Sequence, residues 1–224
     1  MRDLNIEEIK ISNDGYMWCK SWFYKIYVTL LSNDYKYIFK KGVNLIDCEI
    51  DSPEVGICYL MSMYNKVNKK LIFSEHCAYV NNQKISLEEL SEHSCYIDKT
   101  NPFFAKRRTV RKSIEKGLKK SNSALSVEQI AEMFGLTDRI DRPLKANGNE
   151  ALRAMCAIAF AYGKQIFCFS WFSKKYVEYY KPSLQLLLDV LEKEGKTVIL
   201  PTSAVAELED YDAQAEIIRA GSPR

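Results

Sequence analysis

The sequence predicts an α/β fold built on a mainly parallel sheet, with strand-rich segments ahead of it, and three observations carry that expectation. Short apolar runs of buried-strand type recur at Val43–Ile46, Ile166–Phe169 and Thr197–Leu200. Between and after them lie longer segments with helical spacing, three of which stop at glycines, Gly135, Gly163 and Gly195. Strands that read as continuous apolar runs, alternating with helices, belong to parallel sheets covered on both faces.

The elements follow in order. The first forty residues are strand-like: Ser21–Leu31 is rich in Tyr, Phe, Val and Ile, and Ser32-Asn33-Asp34 turns the chain into Tyr35–Phe39. Lys41-Gly42 leads into Val43–Ile46. After the polar bend Asp51-Ser52-Pro53, the segment Glu54–Tyr64 has Ile57, Leu60, Met61 and Tyr64 on one helical face, with Pro53 at the first helical position. Leu71–Phe73 and Cys77–Val80 are strand-like, Asn81-Asn82 turns, and Ser86 with Glu89 has capping-box spacing. Cys95–Ile97 is a short strand. Thr109 to about Ala131 is helical and basic, interrupted at Ser121-Asn122-Ser123; Ser126 with Gln129 caps its second piece, which stops at Gly135. Helices over Glu150–Tyr162 and Lys174–Glu194 end at Gly163 and Gly195. A short helix near Ala204–Leu208 and a strand at Ala215–Arg219 complete the reading.

Composition bounds the function more loosely. The 224 residues are 47% hydrophobic and 27% charged, enough for one domain with a sizeable core. A net charge of +3 is too small to argue for nucleic acid, and no nucleic-acid partner is expected. Seven cysteines stand without a C-x-x-C pair, and with only His76 and His93 beside them no metal site is expected. Such cysteines read as reduced, mostly buried thiols of a cytosolic protein. Met1–Lys10 is charged throughout and is not read as a secretory signal. The longest apolar stretch, Ala151–Phe172, is broken by Arg153, Gly163, Lys164 and Gln165, and reads as a helix followed by a strand rather than a membrane span.

Ligands of α/β sheets sit at the carboxyl ends of the strands. The segment after Val43–Ile46, from Asp47 to Val55, has the length of a phosphate loop between strand and helix. In order and spacing the chain from about Tyr35 to Ser203 resembles the nucleotide-binding domain of ATP-binding-cassette (ABC) transporters. Lys41–Ile46 resembles the lead-in to that family's phosphate loop, Tyr96-Ile97-Asp98-Lys99 its Q-loop strand, and Thr109-Val110-Arg111-Lys112-Ser113-Ile114 its "TVRENI" segment. Ala146-Asn147-Gly148-Asn149-Glu150, with Arg153 beyond, resembles the "LSGGE" signature. Ile166–Ser173 resembles the strand ending in "DEPT", and Glu194–Ser203 resembles "EGKTVILVTH". The resemblance implies a single domain over 1–224 with the P-loop NTPase-like ABC ATPase fold: a mainly parallel sheet, an N-terminal antiparallel β region, and a helical subdomain at about 100–145.

It also implies that the family's chemistry is lost. In G-x-x-x-x-G-K-S/T, glycines let backbone N–H groups approach phosphates, the lysine neutralises them and the hydroxyl holds Mg²⁺. The matching positions here are Cys48, Pro53, Glu54 and Val55. A carboxylate in place of the lysine turns each attraction of about 4 kcal/mol at ~4 Å into a repulsion of the same size. The metal-supporting Asp becomes Ser170, the catalytic carboxylate Trp171, the Q-loop glutamine Lys99 and the switch histidine Ser203. ATP and Mg²⁺ binding are therefore expected to be absent, and the chain to be a pseudo-ATPase with no catalytic residue. Trp171 is expected to be either a core residue or a plug in the vacated pocket.

Asn147, Gly148, Asn149 and Glu150 read either as a helix cap or as a signature segment acting on ATP held by a partner. The basic run from Lys106 to Lys120 reads as a solvated face, or as a docking face for a membrane subunit or anionic lipid. The implied partners are an active ABC ATPase subunit in a heterodimer and an integral membrane permease, which places the chain in the cytoplasm on the inner face of the membrane. The rival expectation is a free-standing scaffold that reuses the fold without a transporter.

Overall fold

The structure, a computed structural model, describes residues 5–13, 17–20, 27–30, 35–50, 52–63, 76–99, 101–104, 107–146, 150–208, 211 and 216–219. A four-stranded parallel sheet lies at its centre, in the order β5 (Gly42–Asp47), β10 (Thr197–Thr202), β9 (Ile166–Phe169), β8 (Ser94–Ile97). A second, antiparallel sheet has the order β11 (Glu216–Arg219), β4 (Tyr35–Lys40), β1 (Glu8–Asn13), β6 (His76–Val80), β7 (Gln83–Ile85). A hairpin pairs β2 (Met17–Lys20) with β3 (Tyr27–Leu30).

Crossover handedness distributes the helices. From β5 the chain passes through α1 (Pro53–Met63) and reaches β8 at the far edge of the parallel sheet. It then returns one strand at a time, through α5 (Ala151–Ala161) to β9 and through α6 (Lys174–Lys193) to β10. Right-handed crossovers running in opposite directions put α1 on one face and α5 with α6 on the other. The strands follow with period-two alternation. Val43, Leu45, Cys95, Ile97, Phe167, Phe169, Val198 and Leu200 enter the core shared with α5 and α6. Ile46, Tyr96, Ile166, Cys168 and Ile199 enter the core shared with α1.

That second core also contains Ile9, Ile11, Tyr37, Phe39, Ala78 and Val80 of the antiparallel sheet. Helix α1 is therefore packed between two sheets. The sequence assigns it one apolar face, yet the structure buries Glu54, Val55, Ile57, Cys58, Leu60 and Met61, on every side of the helix. Tyr64, the last residue of the expected face, lies outside the described residues, as do the expected strand Leu71–Phe73 and most of Ser21–Leu31.

The basic segment forms α3 (Val110–Ser121), and α4 (Val127–Met133) follows it. Thr109 caps α3, and Ser126 and Gln129 close a full capping box on α4; such caps contribute about 1 kcal/mol each. Val110 and Ile114 of α3, Ile130 and Ala131 of α4, and the loop residues Phe134, Leu136, Ile140 and Leu144 join the core of α5, α6 and the parallel sheet. At the α2 (Leu87–His93) cap, Ser86 accepts a hydrogen bond from the Glu89 N–H, as the spacing predicts. β1 falls in the strand-like first forty residues, and β7 is an addition to the sequence reading, joined to β6 by Asn81 and Asn82 through left-handed φ values of 50° and 65°. Among the described residues no helix is long and apolar enough to cross a membrane.

A site candidate at the carboxyl ends of the parallel strands

The carboxyl ends of β5, β10 and β9 are tied to one another. The Cys48 N–H, just past β5, donates to the Thr202 carbonyl at 3.1 Å. The Phe172 N–H, past β9, donates to the Pro201 carbonyl at 3.0 Å, and the Ser203 N–H returns to the Phe172 carbonyl at 3.3 Å. Thr202, fully buried, donates its hydroxyl to the Phe172 carbonyl at 2.7 Å and accepts from the Ala204 N–H at 3.1 Å. Trp171 adds a side-chain bridge. Its indole Nε1 donates to the Cys48 carbonyl at 2.8 Å. The residue that the resemblance sets in the place of the catalytic carboxylate thus bonds to the one that it sets in the place of the first loop glycine.

The structure brings together most of the positions singled out in the sequence. Cys48, Trp171 and Ser203 form the bonded cluster, with Ser170 half-buried at the end of β9. Pro53 opens α1, and Glu54 and Val55 are buried in its first turn. Glu54 acts on Cys48 through charge: burial pushes the Cys48 thiol up to about 12, and the carboxylates of Glu54, Asp47 and Glu49 reinforce the rise. A thiol so held is protonated at neutral pH and is a poor nucleophile or metal ligand.

Lys99 is exposed past β8, three strands from β5, roughly 14 Å by strand spacing, and does not join the cluster. Asn147, Gly148 and Asn149 lie outside the described residues. Glu150 occupies the cap position of α5 without a side-chain capping bond. Its carboxylate faces Arg139 at 3.6 Å and Arg153 at 3.8 Å. Arg153 in turn lies against Gly135, where an added Cβ would sit 2.5 Å from its Nη1.

Two further features bear on the strand ends. Asn44, fully buried in β5, accepts from the Lys40 N–H at 2.9 Å and donates to the carbonyls of Lys40, Gly42 and Val198 at 2.7, 3.1 and 3.0 Å. The signal for it was a lone amide inside the apolar run Val43–Ile46. The other is Gly195-Lys196-Thr197, a Gly-Lys-Thr triplet outside the loop position. It opens β10 instead of a helix, and the pattern's first glycine would fall at Val190, inside α6. Lys196 donates to Gln165 Oε1 at 2.9 Å, at the amino ends of the strands. It is not a displaced phosphate cradle.

No protein-family profile matches the sequence, and no curated protein does. Solved structures do match by shape. A bacterial ABC exporter of the Atm1 family, with ATP bound, aligns over 93% of this chain at a TM-score of 0.63 and 14% identity. The chain has the fold of an ABC cassette. It spans 36% of that exporter chain. A bacterial ABC transporter cassette solved as a dimer aligns over 90% of both chains, with a TM-score of 0.59 and 16% identity. The ATP-binding subunit of another ABC transporter aligns over 91% of this chain and 82% of its own, with a TM-score of 0.58 and 14% identity. At these identities the likeness fixes the ABC-type architecture, the parallel sheet with its antiparallel companion, and leaves the chemistry to the residues.

Proposed function

We propose that this chain is a non-catalytic ABC-type subunit that pairs with an active ATP-binding cassette and a membrane permease, and serves transport structurally or as a regulator. The observation that carries the reading is the bond from Trp171 Nε1 to the Cys48 carbonyl, which occupies the strand ends where this fold would hold a nucleotide. The surrounding residues do not suit a magnesium polyphosphate. Glu54 brings a buried negative charge to the place of the phosphate-neutralising lysine, Val55 has no oxygen for a metal, and Pro53 has no N–H to offer. Ser170 and Trp171 supply neither a carboxylate for Mg²⁺ nor a base for water. No step of nucleotide hydrolysis is routed through this chain.

In this account the work is mechanical. The two cores lock both faces of the parallel sheet to its helices, so that a push on one face moves the whole body. The segment Asn147–Glu150, at the start of α5, contributes to ATP held by the partner subunit. Attachment to the inner face of the membrane comes through the permease.

A tagged pull-down from detergent-solubilised native membranes, read by mass spectrometry, tests the assembly. The reading predicts an intact cassette and a permease in fixed ratio with this chain. Recovery of the chain alone from the soluble fraction would contradict it and favour a free scaffold.

A further inference from the structure

Charge in this chain is segregated. Residues 99–120 contain nine Lys or Arg against a single acid, Glu115, whereas the whole chain carries +3, so the remainder is net acidic. The acids that approach this segment are already used: Arg111 bonds Glu128 Oε1 at 2.6 Å and Asp141 Oδ1 at 2.7 Å. Lys112, Lys116, Lys119 and Lys120 are exposed on α3, Lys120 with its Nζ 5.9 Å from the centre of the Tyr162 ring, and none of them is in an ion pair among the described residues. Their spacing of three and four residues puts them along one side of the helix over a rise of roughly 12 Å. Arg107 and Arg108, just before α3, are also exposed.

The opposite side of α3 is fixed. Val110 and Ile114 are fully buried, and a Cβ at Gly117 would meet Tyr162 Cδ2 at 2.7 Å and Ala161 at 2.9 Å. The helix therefore has no apolar face to insert anywhere, and it offers its lysines on a rigid support.

We propose that this lysine face binds the anionic headgroup surface of a phospholipid bilayer. Lysine ammoniums are compact point charges without the planar fork that arginine uses for a specific carboxylate or phosphate, and the one arginine on α3 is occupied. Such a face suits a diffuse plane of negative charge. Residues 105–121 contain no aromatic side chain on which a nucleobase would stack, and the Tyr162 ring beside Lys120 is half-buried against Phe103. The net-acidic remainder of the chain is repelled by the same plane, which orients the molecule with α3 toward the lipid. The inference is independent of the nucleotide reading: vesicle binding by the isolated chain needs neither a cassette nor a permease, so its failure leaves that reading standing.

The test is co-sedimentation of the full chain with vesicles of phosphatidylglycerol and phosphatidylcholine, against phosphatidylcholine alone. Binding is expected to the anionic vesicles only, and release is expected near 1 M salt, where the screening length falls to about 3 Å. Replacing Lys116, Lys119 and Lys120 by Ala should weaken it about a hundredfold, from the usual contribution of each lysine at an anionic surface. Replacing Lys84, Lys175 and Lys193, exposed elsewhere, makes the same change in net charge and should leave binding nearly unaltered. Superimposable thermal unfolding of the two triple variants shows that both are folded. Equal binding to phosphatidylcholine, no binding to either vesicle, equal loss in both triple variants, or tighter binding to a single-stranded oligonucleotide would each overturn the proposal.

Discussion

Trp171 and Cys48 are 123 residues apart in the chain and joined by one hydrogen bond, indole Nε1 to backbone carbonyl at 2.8 Å. Trp171 follows β9 and Cys48 follows β5, and these strands are separated in the sheet by β10. The bond therefore spans the end of β10, whose Thr202 carbonyl accepts the Cys48 N–H. The tryptophan fastens together the ends of two strands that are not neighbours in the sheet.

Trp171→Phe keeps an aromatic ring and removes the donor. The expected loss is about 1 kcal/mol of unfolding free energy, the net worth of one such bond. Urea unfolding reads it as a lower midpoint with an unchanged slope. No loss would mean that the bridge is incidental to the fold.

Asn44 is the more demanding position. Asn44→Ala removes the partner of the Lys40 N–H and of three carbonyls, Lys40, Gly42 and Val198, in a fully buried place. A cost of about 3 kcal/mol is expected, from unsatisfied groups rather than lost apolar area. Asn44→Leu, which restores volume without hydrogen bonds, should not rescue it in the same unfolding assay.

At Gly135 the backbone φ is +60°, and an added Cβ would sit 2.5 Å from Arg153 Nη1. Gly135→Ala should cost about 1–2 kcal/mol from the left-handed backbone alone. It also displaces the guanidinium that faces Glu150 at 3.8 Å. Thermal unfolding measures the first effect. Faster amide exchange at the start of α5 reports the second.

His93 gives the fold a dependence on pH. Burial, with help from the charge of Lys164, lowers its pKa below the ordinary 6.5, and Nδ1 is buried without a partner among the described residues. The unfolded chain therefore takes up this proton at a higher pH than the folded one. The contribution is fully present above 6.5 and is lost as pH falls below 6.5 toward the folded value. His93→Gln should make the stability curve shallower over that interval, read as the difference between the two proteins' unfolding midpoints.

The sequence made the last third legible because its signals are local. Ile166–Phe169 is a strand as read, and α6 runs from Lys174 to Lys193 with Gly195 at φ +64° just beyond. β1 lies within the strand-like first forty residues, but its own bounds are hard to read for a physical reason. Ile9 and Ile11 point into the core, while Glu8 and Lys10 pair with each other outside at 2.8 Å, so the segment reads as charged unless its alternation is followed. α1 reads as one-faced in the sequence because nothing local states that a second sheet covers it.

The candidate site divides in the same way. Each replacement, from Cys48 to Ser203, stands in the sequence as a residue type. That Trp171 reaches Cys48, that Thr202 ties both neighbouring strands, and that Lys99 stands apart depend on strand order, which the spacing alone does not give.

The central claim, a cassette fold without its own nucleotide chemistry, is tested most directly by isothermal titration of the isolated chain with ATP and Mg²⁺. The account predicts no binding heat up to millimolar nucleotide, because Glu54 opposes the phosphates and Trp171 holds the strand ends together. Saturable binding in the micromolar range, with Mg²⁺ required, would contradict it.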